Sequence, residues 1–478
     1  MSFRRHWTRL LAAVALATAL TGCGGGTNTA SLGGGTSGTG VVQAPVTGFG
    51  SVFVRGIEFE VNADDIVVDG VRAPMGQADL AVGMLVTVKG SWDPATGRGS
   101  ATEIRYDSDA VGPVTSIDVA NGSFVALGNT IVVTNDTVLD DRVNGGSFTL
   151  DSLAPGNRVE VSGVRVADDT IRATRVALLK EQPSGGKNLE IKGVVAELTA
   201  DTFKLGDQTV KYSEARQIDA GAPKEGQLVE AKGGLEGGVF IADKIELEAE
   251  SLGGADGEDG ELEGYLTSFT SISRFAVNGQ LVTTDASTEF KDGATATSIQ
   301  QAGARIQVEG RFDGDGVLQA REVAVKLESD IRLSDTISRI DVSGPNSGTL
   351  TTRLGIEATV TPETSLRDDT GADGPDFNLQ KLHTGDRVEI RGVKNSTGGV
   401  AASRLQREDE EAGCSLRGPI SGLDEAQSRF TILNVDVNAA EPGLPSSLND
   451  GDVLEAGTGN DGDCSNSTLI ARDVEAED

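Results

Sequence analysis

Apolar and polar residues alternate in short runs along the chain, and one run recurs. Gly156–Gly163 reads GNRVEVSG. Val159 and Val161 fall on one face and Arg158, Glu160 and Ser162 on the other. This is the period of two of a half-buried strand, with turn glycines at both ends. Near-copies stand at Gly83–Gly90 (GMLVTVKG), Gly226–Gly233 (GQLVEAKG), Gly303–Gly310 (GARIQVEG) and Gly385–Gly392 (GDRVEIRG). A degenerate copy, GDVLEAGT, begins at Gly451 and has Thr458 where the others end in glycine. The first glycines lie 66 to 82 residues apart, the size of a small domain rather than of a solenoid repeat.

Two further marks keep a constant order around each octet. Within 20 residues of its first glycine comes Ala-x-x-branched: Ala101/Ile104, Ala173/Val176, Ala242/Ile245, Ala320/Val323, Ala402/Leu405 and Ala471/Val474. A spacing of three cannot put both side chains on one face of a regular strand, so a bulge or sharp bend is predicted there. Upstream, Phe124, Phe203, Phe275 and Phe430 stand close to turns, with Phe53 and Leu350 filling the place in the first and fifth copies. These read as core plugs. In the second copy the pattern predicts strands near Gly112–Val119, Ser123–Leu127, Thr130–Thr134, Arg158–Ser162 and Thr170–Leu179, with a short helical piece over Leu150–Pro155. Five strands with a helical insert before the fourth is the order of an oligonucleotide/oligosaccharide-binding (OB) barrel. The expected fold is therefore all-β: about six tandem five-stranded OB-like modules.

The GNRVEVSG-like octets and the ATRV-like strand, Ala173–Val176, resemble the bacterial family catalogued as domain of unknown function 5666, whose small β-modules recur in lipoproteins and secreted proteins. The resemblance covers nearly all of Val41–Asp478 and implies no activity. On this reading the modules occupy 47–109, 110–182, 188–250, 261–329, 331–409 and 413–478. The Gly-rich stretches Glu181–Asn188 and Ser251–Glu261 separate copies two, three and four. Beads packed end to end are expected, with the most hinge-like joint near Gly253–Gly260 and a total reach on the order of 150 Å.

The N-terminus is different in kind. Arg4, Arg5 and Arg9 precede an apolar run, Leu10–Leu20, that is about half the length of a membrane-spanning helix. An ordinary secretory signal would be cut after Ala17-Thr18-Ala19, but Leu20-Thr21-Gly22-Cys23 resembles the lipobox of bacterial lipoproteins. That resemblance implies a signal peptide over 1–22, an acylated Cys23, and a Gly/Ser/Thr-rich tether over 23–46. Gly24, in place of aspartate, implies the outer membrane, with periplasmic or surface display left open.

Charge narrows the partners. The chain carries a formal net charge of -32, and losing three arginines and no acid with the signal takes it to about -35. Nucleic acid is a poor partner for such a chain, and aromatic residues, at 4%, are too few for base stacking. Of two histidines, His6 leaves with the signal and His383 reads as a solvated turn residue. No nucleophile motif or phosphate loop is found, so no catalytic residue, cofactor or metal ligand is assigned. The acidic loops Asp256–Asp259, Asp368/Asp369/Asp373 and Asp461/Asp463 are the nearest to calcium ligands, without EF-hand spacing. Cys414 and Cys464 remain in one module and an oxidising compartment. The first and fourth strands of an OB barrel pair antiparallel, which brings the two cysteines together as a disulfide. The expected function is a non-enzymatic envelope lipoprotein: spacer, scaffold or binding surface for a protein or glycan. The alternative is a calcium- or glycan-binding protein with sites on OB-like faces.

Overall fold

The computed structural model describes residues 38–180, 187–219, 221–249, 251–301, 303–465 and 467–476. The expected signal peptide, Cys23 and most of the tether lie outside the described residues. In the second module the first strand, Ala110–Asp118, pairs antiparallel with Ser123–Ala126, which pairs antiparallel with Asn129–Val132. That third strand runs parallel to the fifth, Thr170–Leu179, and the fifth pairs with the fourth, Arg158–Ala167, which returns to the first. The circle closes as an OB-like barrel, with a 3-10 turn at Leu150–Ser152 before the fourth strand. A short strand at Val138–Asp141, parallel to the end of the fifth, was not in the pattern. Modules one, three, four and five repeat the same circuit.

Both octet glycines have a physical reason, and the two reasons differ. The first sits at positive φ in every copy (Gly83, Gly156, Gly226, Gly303, Gly385 and Gly451, φ 79° to 101°), a conformation that any Cβ penalises. The last faces the bulge. Gly90, Gly163, Gly233, Gly310 and Gly392 pair with Ala101, Ala173, Ala242, Ala320 and Ala402, and the next residue of each alanine strand is left unpaired. A Cβ on these glycines would lie 2.0 to 2.4 Å from a carbonyl oxygen of the fifth strand. The Ala-x-x-branched spacing is therefore a one-residue bulge, as its period implied.

The core plugs are buried in each barrel, Phe124, Phe203 and Phe275 at 1% exposure and Phe430 at 2%. In the first module Val52 takes the place assigned to Phe53. Val52 pairs with Phe59 as Phe124 pairs with Ile131, and Phe53 is buried on the barrel's outside.

The arrangement of the barrels differs from beads in a line. The first half of each first strand pairs with the fourth strand on one edge only, so barrel closure leaves its other edge open. A neighbour's first strand fills that edge. Modules two and three join antiparallel (Val111 with Glu190), as do five and six (Leu333 with Leu416). Modules one and four, far apart in sequence, join in parallel, Gly40–Gln43 along Asp259–Leu262. Among the described residues the result is three sheets of two barrels each. Two expectations are corrected here. The tether is shorter than 23–46, because Gly38–Gly48 is the first strand of module one, its alternation hidden by glycine and threonine. The expected hinge near Gly253–Gly260 runs into a 13-residue strand, Asp259–Ser271. The pairs also touch one another: Arg55 reaches Glu363 (2.6 Å), Arg391 the carbonyl of Asn135 (2.7 Å) and Arg172 Glu328 (3.4 Å).

Candidate functional site

The outward residues of the octet strand meet other modules. Because Val159, Val161 and their counterparts point inward, the intervening Glu160, Ser162, Glu230, Lys232, Glu309, Glu389 and Arg391 point out of their barrels. Glu160 of module two accepts from the Tyr106 hydroxyl (3.2 Å) and Ser162 Oγ from the Leu85 amide (2.9 Å), both of module one. Glu309 of module four pairs with Arg55 of module one at 3.1 Å. Glu389 of module five is enclosed by Arg332 and Arg391, each at 2.7 Å. Although burial opposes it, these guanidinium groups hold the Glu389 carboxyl down to about 2.

Each acidic loop that the sequence offers as a calcium site has at least one carboxylate paired with arginine. Arg407 grips Asp368 with Nε and Nη2 (2.9 and 2.7 Å) and reaches Asp373 at 2.7 Å. The Asp368 carboxyl is held at about 2, against burial, chiefly by this fork. Asp369 pairs with Arg367 (2.5 Å), Asp461 with Arg353 (2.6 Å), Asp463 with Arg472 (3.1 Å) and Asp259 with Arg311 (3.0 Å). His383 is an exposed turn residue whose amide donates to Asp386 (2.8 Å).

The acidic cluster that does form comes from three separate places in the chain. Ile66–Val68 and Val71–Arg72 make a hairpin whose two-residue loop, Asp69-Gly70, has positive φ at both positions (48° and 76°), the turn that Asp-Gly favours. This loop of module one sets Asp69 against the octet face of module three, where Glu190 and Glu230 stand on adjacent strands. One carboxylate oxygen from each of Asp69, Glu190 and Glu230 lies within 4.8 Å of the others. Lys232 Nζ sits among them, 3.2 Å from Glu230 Oε2, 3.6 Å from Glu190 Oε2 and 3.1 Å from the Asp69 carbonyl. Burial pushes the Glu230 carboxyl up to about 7 even with Lys192 and Lys232 nearby, and the Glu190 carboxyl is also raised, first by burial and then by Asp69. Sequence reasoning missed this cluster because its members are 121 and 40 residues apart and none sits in an acid-rich run. A cavity of about 210 Å³ lies at the joint of modules one and two, lined by Tyr106, Glu160, Arg142 and Met84. It is below the range of about 300–1,000 Å³ usual for small-molecule sites.

The expected disulfide is present: Cys414 opens the first strand of module six, and its sulfur is bonded to that of Cys464, just beyond the fourth strand. In this module Thr458 still pairs with the first strand but not with the fifth, which breaks between Ile470 and Asp473.

Five stretches, 39–105, 111–177, 192–246, 263–324 and 336–406, match the family described as domain of unknown function, DUF5666. The chain belongs to the DUF5666 family. Each DUF5666 match spans one of the first five barrels with its octet and bulge, and the barrel that has lost the closing glycine lies beyond the last of them. No curated protein matches the chain.

Proposed function

We propose that this DUF5666 chain is a non-enzymatic lipoprotein of the bacterial outer membrane, held through acylated Cys23, whose packed barrels form a compact scaffold or binding surface for an envelope protein or glycan. The observation that carries the reading is how the barrels use their own chemistry. First-strand edges are filled by neighbouring barrels, octet faces meet other modules, and each acidic loop has carboxylates paired with arginine. Such an architecture favours a rigid platform over a row of independent sites. It also revises the spacer reading, because lateral packing shortens the reach that six beads in a line would have.

Anchoring follows from the N-terminal segment. Residues 23–37 precede the first strand, and a chain of that length reaches at most about 50 Å. The platform then stands close to the lipid at the end that holds the joint of modules one and four. Several acyl chains on Cys23 exceed the two-signal requirement for stable membrane attachment. The test is Cys23→Ala. Loss of acylation and of outer-membrane partitioning is expected, read by intact mass and membrane fractionation. An unchanged mature N-terminus and unchanged partitioning would remove the lipoprotein reading. Cross-linking in intact cells, followed by identification of the attached protein or glycan, tests the platform itself.

A further inference from the structure

The octet face of module three differs from its counterparts in charge balance. In modules four and five each outward glutamate meets arginine. In module three, among the described residues, Lys232 is the one ammonium within 4 Å of Glu190 and Glu230, while Lys192, whose charge also reaches Glu230, is directed to Glu248 at 3.9 Å. Glu246 adds a further carboxylate 3.9 Å from Lys232. Glu230 is 2% exposed, and its Oε1 is buried with no hydrogen-bond partner among the described residues. An uncompensated buried carboxylate oxygen is costly, and this one belongs to the cluster itself.

The donor set is all oxygen. Calcium accepts irregular sets of six to eight oxygens, which suits carboxylates gathered from three separate segments better than the smaller, strictly octahedral magnesium does. Neutral oxygens are also at hand. The Asp69 carbonyl already accepts from Lys232, and Ser108 Oγ lies 3.3 Å from Glu190 Oε2. We propose that a divalent cation of calcium's size binds between modules one and three, held by one carboxylate oxygen each from Asp69, Glu190 and Glu230, and that it displaces the Lys232 ammonium. Three carboxylates with one ammonium leave two negative charges, and with the cation in place of the ammonium they leave one. Lys232 is 22% exposed and has Glu246 beside it, so it has somewhere to go. The ion clasps the Asp69 hairpin to the third barrel, a contact that no strand pairing makes.

Calorimetric titration of the full chain with CaCl2 at pH 8 tests this in wild type, Lys232→Met and Glu230→Gln. One site per chain is expected. Lys232→Met removes the competing cation and tightens binding by about tenfold or more, Glu230→Gln weakens it by at least about tenfold, and MgCl2 binds at least about tenfold more weakly. Asp69→Asn, on a surface hairpin, replaces Glu230→Gln if the latter fails to fold, with the same expected loss. No calcium binding by folded Lys232→Met up to about 10 mM overturns the proposal. Binding that is equal in wild type and in the carboxylate variants also overturns it, because the ion would then sit elsewhere.

Discussion

Modules five and six share one sheet and one continuous hydrophobic core, from Ile331 to Ala471, yet they close their barrels differently. In module five the fourth strand runs unbroken over Arg387–Lys394, and Gly392 lets the fifth strand cross it at a one-residue bulge beside Ala402. In module six the same position is Thr458. The fourth strand stops there, and the fifth is split into Thr468–Ile470 and Asp473–Ala476. The disulfide Cys414–Cys464 lies beside the pairing that is lost. The difference teaches that the octet's last glycine is a closure device: where it is absent, a covalent bond ties the first strand to the segment just beyond the fourth.

The sharpest way to break the comparison is to give module five the defect of module six without its remedy. In Gly392→Val the new Cβ would lie 2.1 Å from the Ala401 carbonyl oxygen. A loss of about 4 kcal/mol or more is expected, read as early loss of protection across 331–408 in hydrogen exchange. Nearly as large is removal of the remedy. Cys464→Ser opens a loop with a separation of 50 residues, a loss of about 4 kcal/mol in the chain-entropy model. Denaturant unfolding followed by hydrogen exchange should show the loss confined to module six. An unchanged midpoint would mean that its core suffices.

Acid separates the two modules next. The carboxyls of Glu389 and Asp368 in module five are held at about 2, below their unfolded values, so their contribution is present above about pH 4.5 and lost as pH falls toward 2. Each is worth on the order of 2–3 kcal/mol. Glu408 works the other way. Burial, then the charge of Glu389, pushes its carboxyl up to about 7, so its neutral form favours the fold below about pH 4.5 and that advantage is lost as pH rises through 7. Melting temperature against pH should peak near pH 5, and Glu408→Gln should flatten the alkaline side. The smallest effect belongs to Thr458→Gly, a change within about 1 kcal/mol in the oxidised protein. The informative result is its coupling to Cys464→Ser in a double-mutant cycle. Strict additivity would deny that glycine and disulfide serve the same closure.

What the sequence discloses and what it conceals divide along physical lines. Strand alternation, the bulge spacing, the turn glycines and the first-to-fourth pairing that joins Cys414 to Cys464 are local or follow from barrel topology, and all are legible. Which barrels associate is not. Gly40–Gln43 and Asp259–Leu262 carry no mark beyond ordinary strand character. The hairpin-turn residues that join barrels also look unremarkable: Leu127 of module two enters the core of module three, and Asn278 of module four bonds Gln43 of module one at 2.9 Å. Acidic loops looked like ligands because spacing does not disclose which arginines meet them, whether 39 residues off, as Arg407 is from Asp368, or two, as Arg367 is from Asp369. The Asp69, Glu190 and Glu230 cluster is invisible for the same reason in reverse.

The parallel joint of modules one and four governs the order of events when the chain is made. Gly40 and Asp259 are 219 residues apart, so a chain that folds from its N-terminus completes its first barrel before the partner strand is available. For that interval the nascent first barrel presents an open strand edge, the kind of template on which chains aggregate. High contact order then makes the joint slow to form even after its second strand arrives. A holdase that shields short β-edges is the helper such a chain would need, and truncation anywhere before module four should yield a protein that self-associates through its N-terminal strand.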